Sequence, residues 1–223
     1  PLTLYGPPGL RDFVETALRI SQAHLDYELK IVEMEQGIVF QDEQFTVETL
    51  RLDHRIDSYG YRVTERDLPG RLDSERLRTL GIAPGPLYGQ LKNGRDVTLP
   101  DGTVIRSSDV VGPSRPGRIV TILGDTRPCD AAVQLAKGAD LLVHEATYAM
   151  GMEDLAHRYF HSTSAAAART ARTAGVGHLI LTHLSSRYQD EGVQSLLEEA
   201  RAVFPHTDVA HDFSSFPVVR KER

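Results

Sequence analysis

A chain of 223 residues, 40% hydrophobic and 25% charged, with 18 glycines and 12 prolines, is a globular protein, not a collagenous, coiled-coil or disordered one. Its single cysteine, Cys129, excludes an internal disulfide or a thiolate zinc knuckle, and no apolar stretch approaches the ~18 residues of a membrane span, so a cytoplasmic setting is expected. The net charge of −6 argues against nucleic-acid binding by bulk basicity, yet Arg66 to Arg118 holds nine basic against six acidic side chains, which makes that segment +3 and the remainder −9.

Leu2 to Tyr5 predicts a short strand, Gly6 to Gly9 a turn, and Leu10 to Ser21 an amphipathic helix with Phe13, Val14, Ala17, Leu18 and Ile20 facing inward. Leu29 to Glu33, Ile38 to Gln41 and Phe45 to Leu52 have alternating or β-branched patterning and are expected to be antiparallel neighbours, with Tyr59 to Thr64 continuing the sheet. From Leu68 the texture becomes rich in Gly and Pro, with one short helix predicted at Ser74 to Leu80. Such a segment is hard to bury as a layer and reads as a protruding insertion, with Leu72, Leu77, Leu80, Ile82, Leu87, Tyr88 and Leu91 able to form a small cluster of their own. Alternation then resumes: strands at Ile119 to Leu123, Leu141 to Ala146, Leu179 to Thr182 and Asp208 to Phe213 are interleaved with helices at Cys129 to Lys137, Thr163 to Thr173 and Glu191 to Val203. Strands alternating with helices imply crossover connections and a sheet with helical cover, hence an α/β class.

Ligand-type residues follow the apolar strands: His54 after Phe45 to Leu52, Asp125 after Ile119 to Leu123, His144 and Glu145 ending Leu141 to Glu145, and His183 after Leu179 to Thr182. Strand ends that feed one sheet edge gather such side chains in space, and imidazole with carboxylate suits zinc or manganese. His144-Glu145 is not a zincin motif, because Tyr148 stands where the second histidine would be. His157 and His161 are spaced to share a helix face, a pattern that surface polarity explains equally well. Cys129 reads as a small buried hydrophobe, and His206 and His211 as surface residues.

The ordered runs Leu123-Gly124-Asp125-Thr126-Arg127, His144-Glu145-Ala146-Thr147, Phe160-His161-Ser162-Thr163 and Leu181 to Tyr188 resemble the motif series of bacterial ribonuclease Z, a tRNA 3′-processing endonuclease of the metallo-β-lactamase superfamily. Pro1 to Pro7 and Gly85-Pro86-Leu87-Tyr88 resemble it too, the latter in its tRNA-binding arm. The resemblance covers essentially residues 1–223 and implies a four-layer αββα sandwich, an inserted arm at 67–108 and a homodimer in which one subunit's arm grips the precursor tRNA cut by the other. It implies that His54, Asp125 and His183 ligate a zinc pair, with Mn2+ an alternative, and that His161 is the general acid, oriented by Glu145. Arg127 and Arg187 are expected phosphate contacts, and Gly85, Pro86, Lys92 and Arg95 expected tRNA contacts.

The family's His-x-His-x-Asp-His signature is absent, and the first residue is Pro1, so the chain is expected to be the C-terminal three-quarters of a longer protein and inactive alone. Two other readings follow from the same residues: a tRNA-binding fragment without catalysis, and a phosphodiesterase for small diesters, against which the segment 66–118 argues.

Overall fold

Seven strands form one sheet, in the order β11-β10-β9-β8-β5-β4-β3, in a computed structural model that describes residues 1–219. In chain order these strands are β3 (Gly37–Gln41), β4 (Phe45–Arg51), β5 (Tyr59–Glu65), β8 (Ile119–Leu123), β9 (Leu141–Glu145), β10 (His178–Thr182) and β11 (Thr207–Val209). β3, β4 and β5 pair antiparallel, as does β5 with β8, while β8, β9, β10 and β11 run parallel. Two reversals therefore make β4 parallel to β8, so the C-terminal ends of β4, β8, β9 and β10 share one edge. The last strand is shorter than the pattern suggests: only Thr207, Asp208 and Val209 pair with β10, and the chain turns away through His211 to Ser214.

The crossovers α5 (Asp130–Ala136), α7 (Ser164–Ala174) and α8 (Glu191–Val203) lie against this sheet. The core between them is assembled from Leu123, Leu135, Leu142, Leu179 and Leu181 with the alanines Ala167, Ala168 and Ala171, whose small side chains let α7 approach closely. α5 is close as well: a Cβ on Gly60 would sit 2.7 Å from the Leu135 side chain. Successive side chains alternate across a sheet, so Tyr61 points to the opposite face, where its hydroxyl reaches the Tyr5 carbonyl at 3.4 Å. That carbonyl belongs to β1 (Leu2–Gly6), which pairs in parallel with β2 (Leu29–Glu33) in a separate two-stranded sheet packed against α1 (Leu10–Ser21). The layer order is thus helix, sheet, sheet, helix. Two sequence expectations are corrected here: β2 joins β1 instead of lying antiparallel to β3, and Phe13 and Ile20 of α1 are 73% and 71% exposed while Val14 and Leu18 are half-buried.

The second unit, residues 66–117, is more regular than its composition suggests. It contains α2 (Ser74–Thr79), α3 (Pro86–Lys92), the pair β6 (Val97–Thr98) and β7 (Val104–Ile105), and α4 (Ser107–Val110). Pro86 opens α3 at its first turn, where a missing N–H costs nothing. Leu77, Ile82, Leu91, Val97, Ile105 and Val110 form its core, with Leu72, Leu87 and Tyr88 at the margin, whereas Leu80 is 47% exposed. α6 (Glu153–Arg158) completes the helices of the first unit. Among the described residues no helix is long and apolar enough to cross a membrane.

Candidate functional site

The shared edge carries the ligand-type side chains. His54 lies just past β4, Asp125 just past β8, Glu145 ends β9 and His183 follows β10. Donor atoms of His54, Asp125 and His161 all lie within 4.8 Å of one another, and His183 Nε2 is 3.4 Å from Asp125 Oδ2. The ring of His161 stacks on that of His183 at 5.4 Å and is tilted at 5.1 Å from that of His54. Asp125 thus lies beside both His54 and His183, and His161, not His183, completes the tightest group with His54 and Asp125.

Hydrogen bonds fix the tautomers. His54 Nδ1 lies 2.8 Å from the Phe160 carbonyl, which can only accept, so Nδ1 carries the proton and Nε2 keeps its lone pair. His161 Nδ1 lies 2.9 Å from Glu145 Oε1, which likewise leaves its Nε2 free. Glu145 is 1% exposed and satisfied on both oxygens. Oε1 also accepts from the amides of Thr126 and Ser162, at 3.2 and 3.0 Å, and Oε2 from the amide and hydroxyl of Thr147, at 3.0 and 2.8 Å. A buried carboxylate held this way fixes the orientation of the His161 ring.

His144 does not join the cluster. Alternation along β9 turns it away from Glu145's side, and its Nε2 is buried without a hydrogen-bond partner. Burial holds its pKa below the ordinary value of 6.5, against the opposing charge of Glu145 and the hydrogen bond to the Glu145 carbonyl. His157 and His161 do not share a helix face: His157 is in α6, while His161 follows its end. His206 is exposed and stacks on His178 at 4.1 Å.

Arg127, expected at a phosphate, is occupied by protein groups: Nε donates to Asp53 Oδ2 at 2.7 Å and Nη1 to His157 Nε2 at 3.1 Å, and the guanidinium lies 4.4 Å over the Phe160 ring. Arg187 is exposed, donating to Ser185 Oγ at 3.1 Å with its guanidinium 5.3 Å over the Tyr148 ring. In the second unit Gly85, Pro86, Lys92 and Arg95 are all exposed. Sequence reasoning gave no role to Asp53, whose neighbour His54 was chosen, or to Phe160, whose residue type suggests no chemistry by itself. The αL backbone of Phe160, at φ 61°, has no local sequence signal.

Imidazoles with free Nε2 atoms beside a carboxylate fit a divalent ion of the zinc or manganese kind, and the carbonyl behind His54 is the support such a ligand needs.

No family model matches the sequence. The ribonuclease Z of Geobacillus kaustophilus is 56% identical over 220 residues, 99% of this chain and 72% of that protein. The ribonuclease Z of Bacillus licheniformis is 51% identical, with the same coverage of 99% and 72%. The crystal structure of human tRNase Z, short form, superposes with a TM-score of 0.61 at 25% identity, over 98% of this chain and 68% of its own. YhfI from Bacillus subtilis, a metallo-β-lactamase fold protein, superposes at 0.57 with 18% identity over 94% and 62%, a likeness of fold alone. The helix, sheet, sheet, helix order is the metallo-β-lactamase fold, and with more than half its residues identical over nearly its whole length the chain belongs to the ribonuclease Z family.

Proposed function

We propose that the chain supplies the general acid and part of the metal site of a protein that cleaves precursor tRNA, hydrolysing one phosphodiester at the 3′ trailer and leaving a 3′-hydroxyl on the tRNA. The observation that carries this reading is the Glu145–His161 pair, 2.9 Å apart, with His161 grouped with His54 and Asp125 and its ring stacked on that of His183. His161 delivers the Nε2 proton to the departing 3′-oxygen. Glu145 keeps the Nδ1 proton in place and holds the ring in its orientation. His54, Asp125 and His183 hold zinc or manganese, which when bound supplies a more acidic water and offsets the charge of the attacked phosphate. Arg187, exposed at the same edge, contacts a phosphate oxygen.

The segment 67–108 acts as an arm that binds the tRNA through Gly85, Pro86, Lys92 and Arg95, all exposed and part of a net-positive stretch. The family resemblance supports a homodimer whose arms serve the partner's site, and tRNA maturation supports action in the cytoplasm.

Two imidazoles and one carboxylate are fewer donors than two fully ligated ions take, so the 223-residue polypeptide alone is expected to be inactive. The deciding protein is therefore a chimaera in which these residues replace the matching part of the Geobacillus kaustophilus ribonuclease Z. It should cleave a trailer-bearing precursor 3′ of the discriminator base, lose activity to a chelator, and lose about 10²- to 10⁴-fold on His161→Ala. A folded, metal-loaded chimaera that is inactive, or one indifferent to His161→Ala, would contradict the proposal.

A further inference from the structure

Helix α6 ends in a Schellman motif: the amide of His161 donates to the Ala156 carbonyl at 2.9 Å and that of Phe160 to the His157 carbonyl at 3.2 Å. The residue after such a helix end is left-handed, a position that favours glycine. α2, α3 and α7 end in the same way and place Gly81, Gly94 and Gly175 there, while α1 places Gln22 there at φ 51°. α6 instead places Phe160, at φ 61°, where its Cβ is strained. The Phe160 ring is held there by the guanidinium of Arg127, which lies 4.4 Å above its centroid.

The same arginine reaches two other loops. Its Nε donates to Asp53 Oδ2 at 2.7 Å and its amide to the Asp53 carbonyl at 3.0 Å, while the Asp53 amide donates to Thr126 Oγ1 at 3.2 Å. Its Nη1 donates to His157 Nε2 at 3.1 Å. Arg127 is two residues past Asp125, Asp53 immediately precedes His54, and Phe160 immediately precedes His161. The carbonyl of Phe160 accepts the Nδ1 proton of His54.

We infer that Arg127 is a positioning residue. With Phe160 it forms a strap that fastens the loops bearing His54 and His161 to the loop bearing Asp125, and it sets the ring orientation of His54 through the Phe160 carbonyl. A guanidinium suits this role because its plane can stack on the ring while its edge hydrogen-bonds Asp53 and His157. The inference rests on the metal-site reading for its purpose, and not for its geometry.

The test uses this chain with Arg127→Met and Phe160→Gly. Methionine keeps an apolar stem and drops the fork. Glycine relieves the left-handed strain and removes the ring, and it leaves the polar partners of Arg127 in place. Two measurements are made, the ring N–H resonances of histidine by NMR and the affinity for Zn2+ alone by calorimetry. The wild-type chain should show a slowly exchanging ring N–H that disappears in His54→Gln. Both strap variants should lose its protection from exchange and bind Zn2+ about 10- to 100-fold more weakly, the usual effect of removing support behind a ligand. A protected His54 proton that survives in either folded variant, with Zn2+ affinity within twofold of wild type, overturns the strap, as does its absence from the wild-type spectrum. If Arg127→Met does not fold, Phe160→Gly decides, since its backbone is favoured at that position. Failure of the wild-type chain to bind Zn2+ counts against the metal reading only, and the His54 resonance then decides the strap.

Discussion

His144 and Glu145 are neighbours on β9, 0% and 1% exposed, and they meet burial in opposite ways. Glu145 is surrounded by hydrogen-bond donors, whereas His144 has an unpartnered Nε2 and is comfortable only when neutral. The folded pKa of His144 lies below the unfolded value of 6.5, with burial as the main cause. Above that value neither state takes up the proton and this residue makes no demand. As pH falls below it, the unfolded chain binds a proton that the folded chain refuses, so stability is lost, by up to about 1.4 kcal/mol per pH unit until the folded pKa is reached. His144→Met removes the titrating group and the orphaned nitrogen together. The difference in unfolding free energy between pH 7 and pH 5, from urea titrations, should be smaller in the variant than in the wild type by about 1 to 2 kcal/mol. Equal pH dependence in the two proteins would show that His144 accepts its proton while folded. At this scale the sequence was legible where a donor stood directly after an apolar strand, as with His54, Asp125 and His183. It was not legible where side-chain direction mattered: the same rule that found Glu145 also offered His144, and only the pleat separates them.

At the scale of elements, apolar periodicity located the strands and the main helices because burial acts on several residues at once. It misjudged α1, whose pattern placed Phe13 and Ile20 inward although both are largely exposed in the structure. The second unit was misjudged in the other direction. Val97 and Ile105 are core residues on two-residue strands, too short for any period to register, and α3 was hidden among glycines and prolines that serve its start. What holds this unit together is close backbone approach. A Cβ on Gly70 would lie 1.8 Å from the carbonyl oxygen of Gly112 and 2.8 Å from that of Pro113, and neither can move without dragging its strand-like neighbours. Hydrogen bonds on either side bind the two segments in register, Leu68 with Arg115 and the Gly112 amide with the Arg71 carbonyl. Gly70→Ala should therefore destabilise residues 66–117 by about 2 to 3 kcal/mol. Limited proteolysis should then cut within that unit well before the remainder, a selectivity the wild-type chain should not show. Uniform resistance in the variant would mean that the two segments separate at little cost.

At the scale of the whole molecule, the pattern of alternating strands and helices announced parallel strands and a site at their C-terminal edge, and both follow from the chirality and length of crossover connections. The pairing of β1 with β2 was not announced, because a strand's local pattern states which faces are buried and leaves its partner open. Charge distribution is the property that belongs to no single element. With −9 outside Arg66 to Arg118 and +3 within it, net charge favours contact with a polyanion within that segment over the remainder. If Lys92 and Arg95, both exposed, each neutralise one tRNA phosphate, binding releases two counterions at that place, and the logarithm of affinity should fall with the logarithm of salt concentration accordingly. Replacing both by alanine should weaken binding of a precursor tRNA by this chain and reduce the magnitude of the salt slope by about 2, one unit per lost contact, in fluorescence anisotropy titrations between about 50 and 200 mM salt. Lys30 and Arg169, exposed and outside the arm, provide the matched control: removing the same two charges there should leave the slope unchanged, since total charge then differs equally while the proposed contacts remain. An equal change in both double variants would assign the effect to net charge and leave the arm without a binding role.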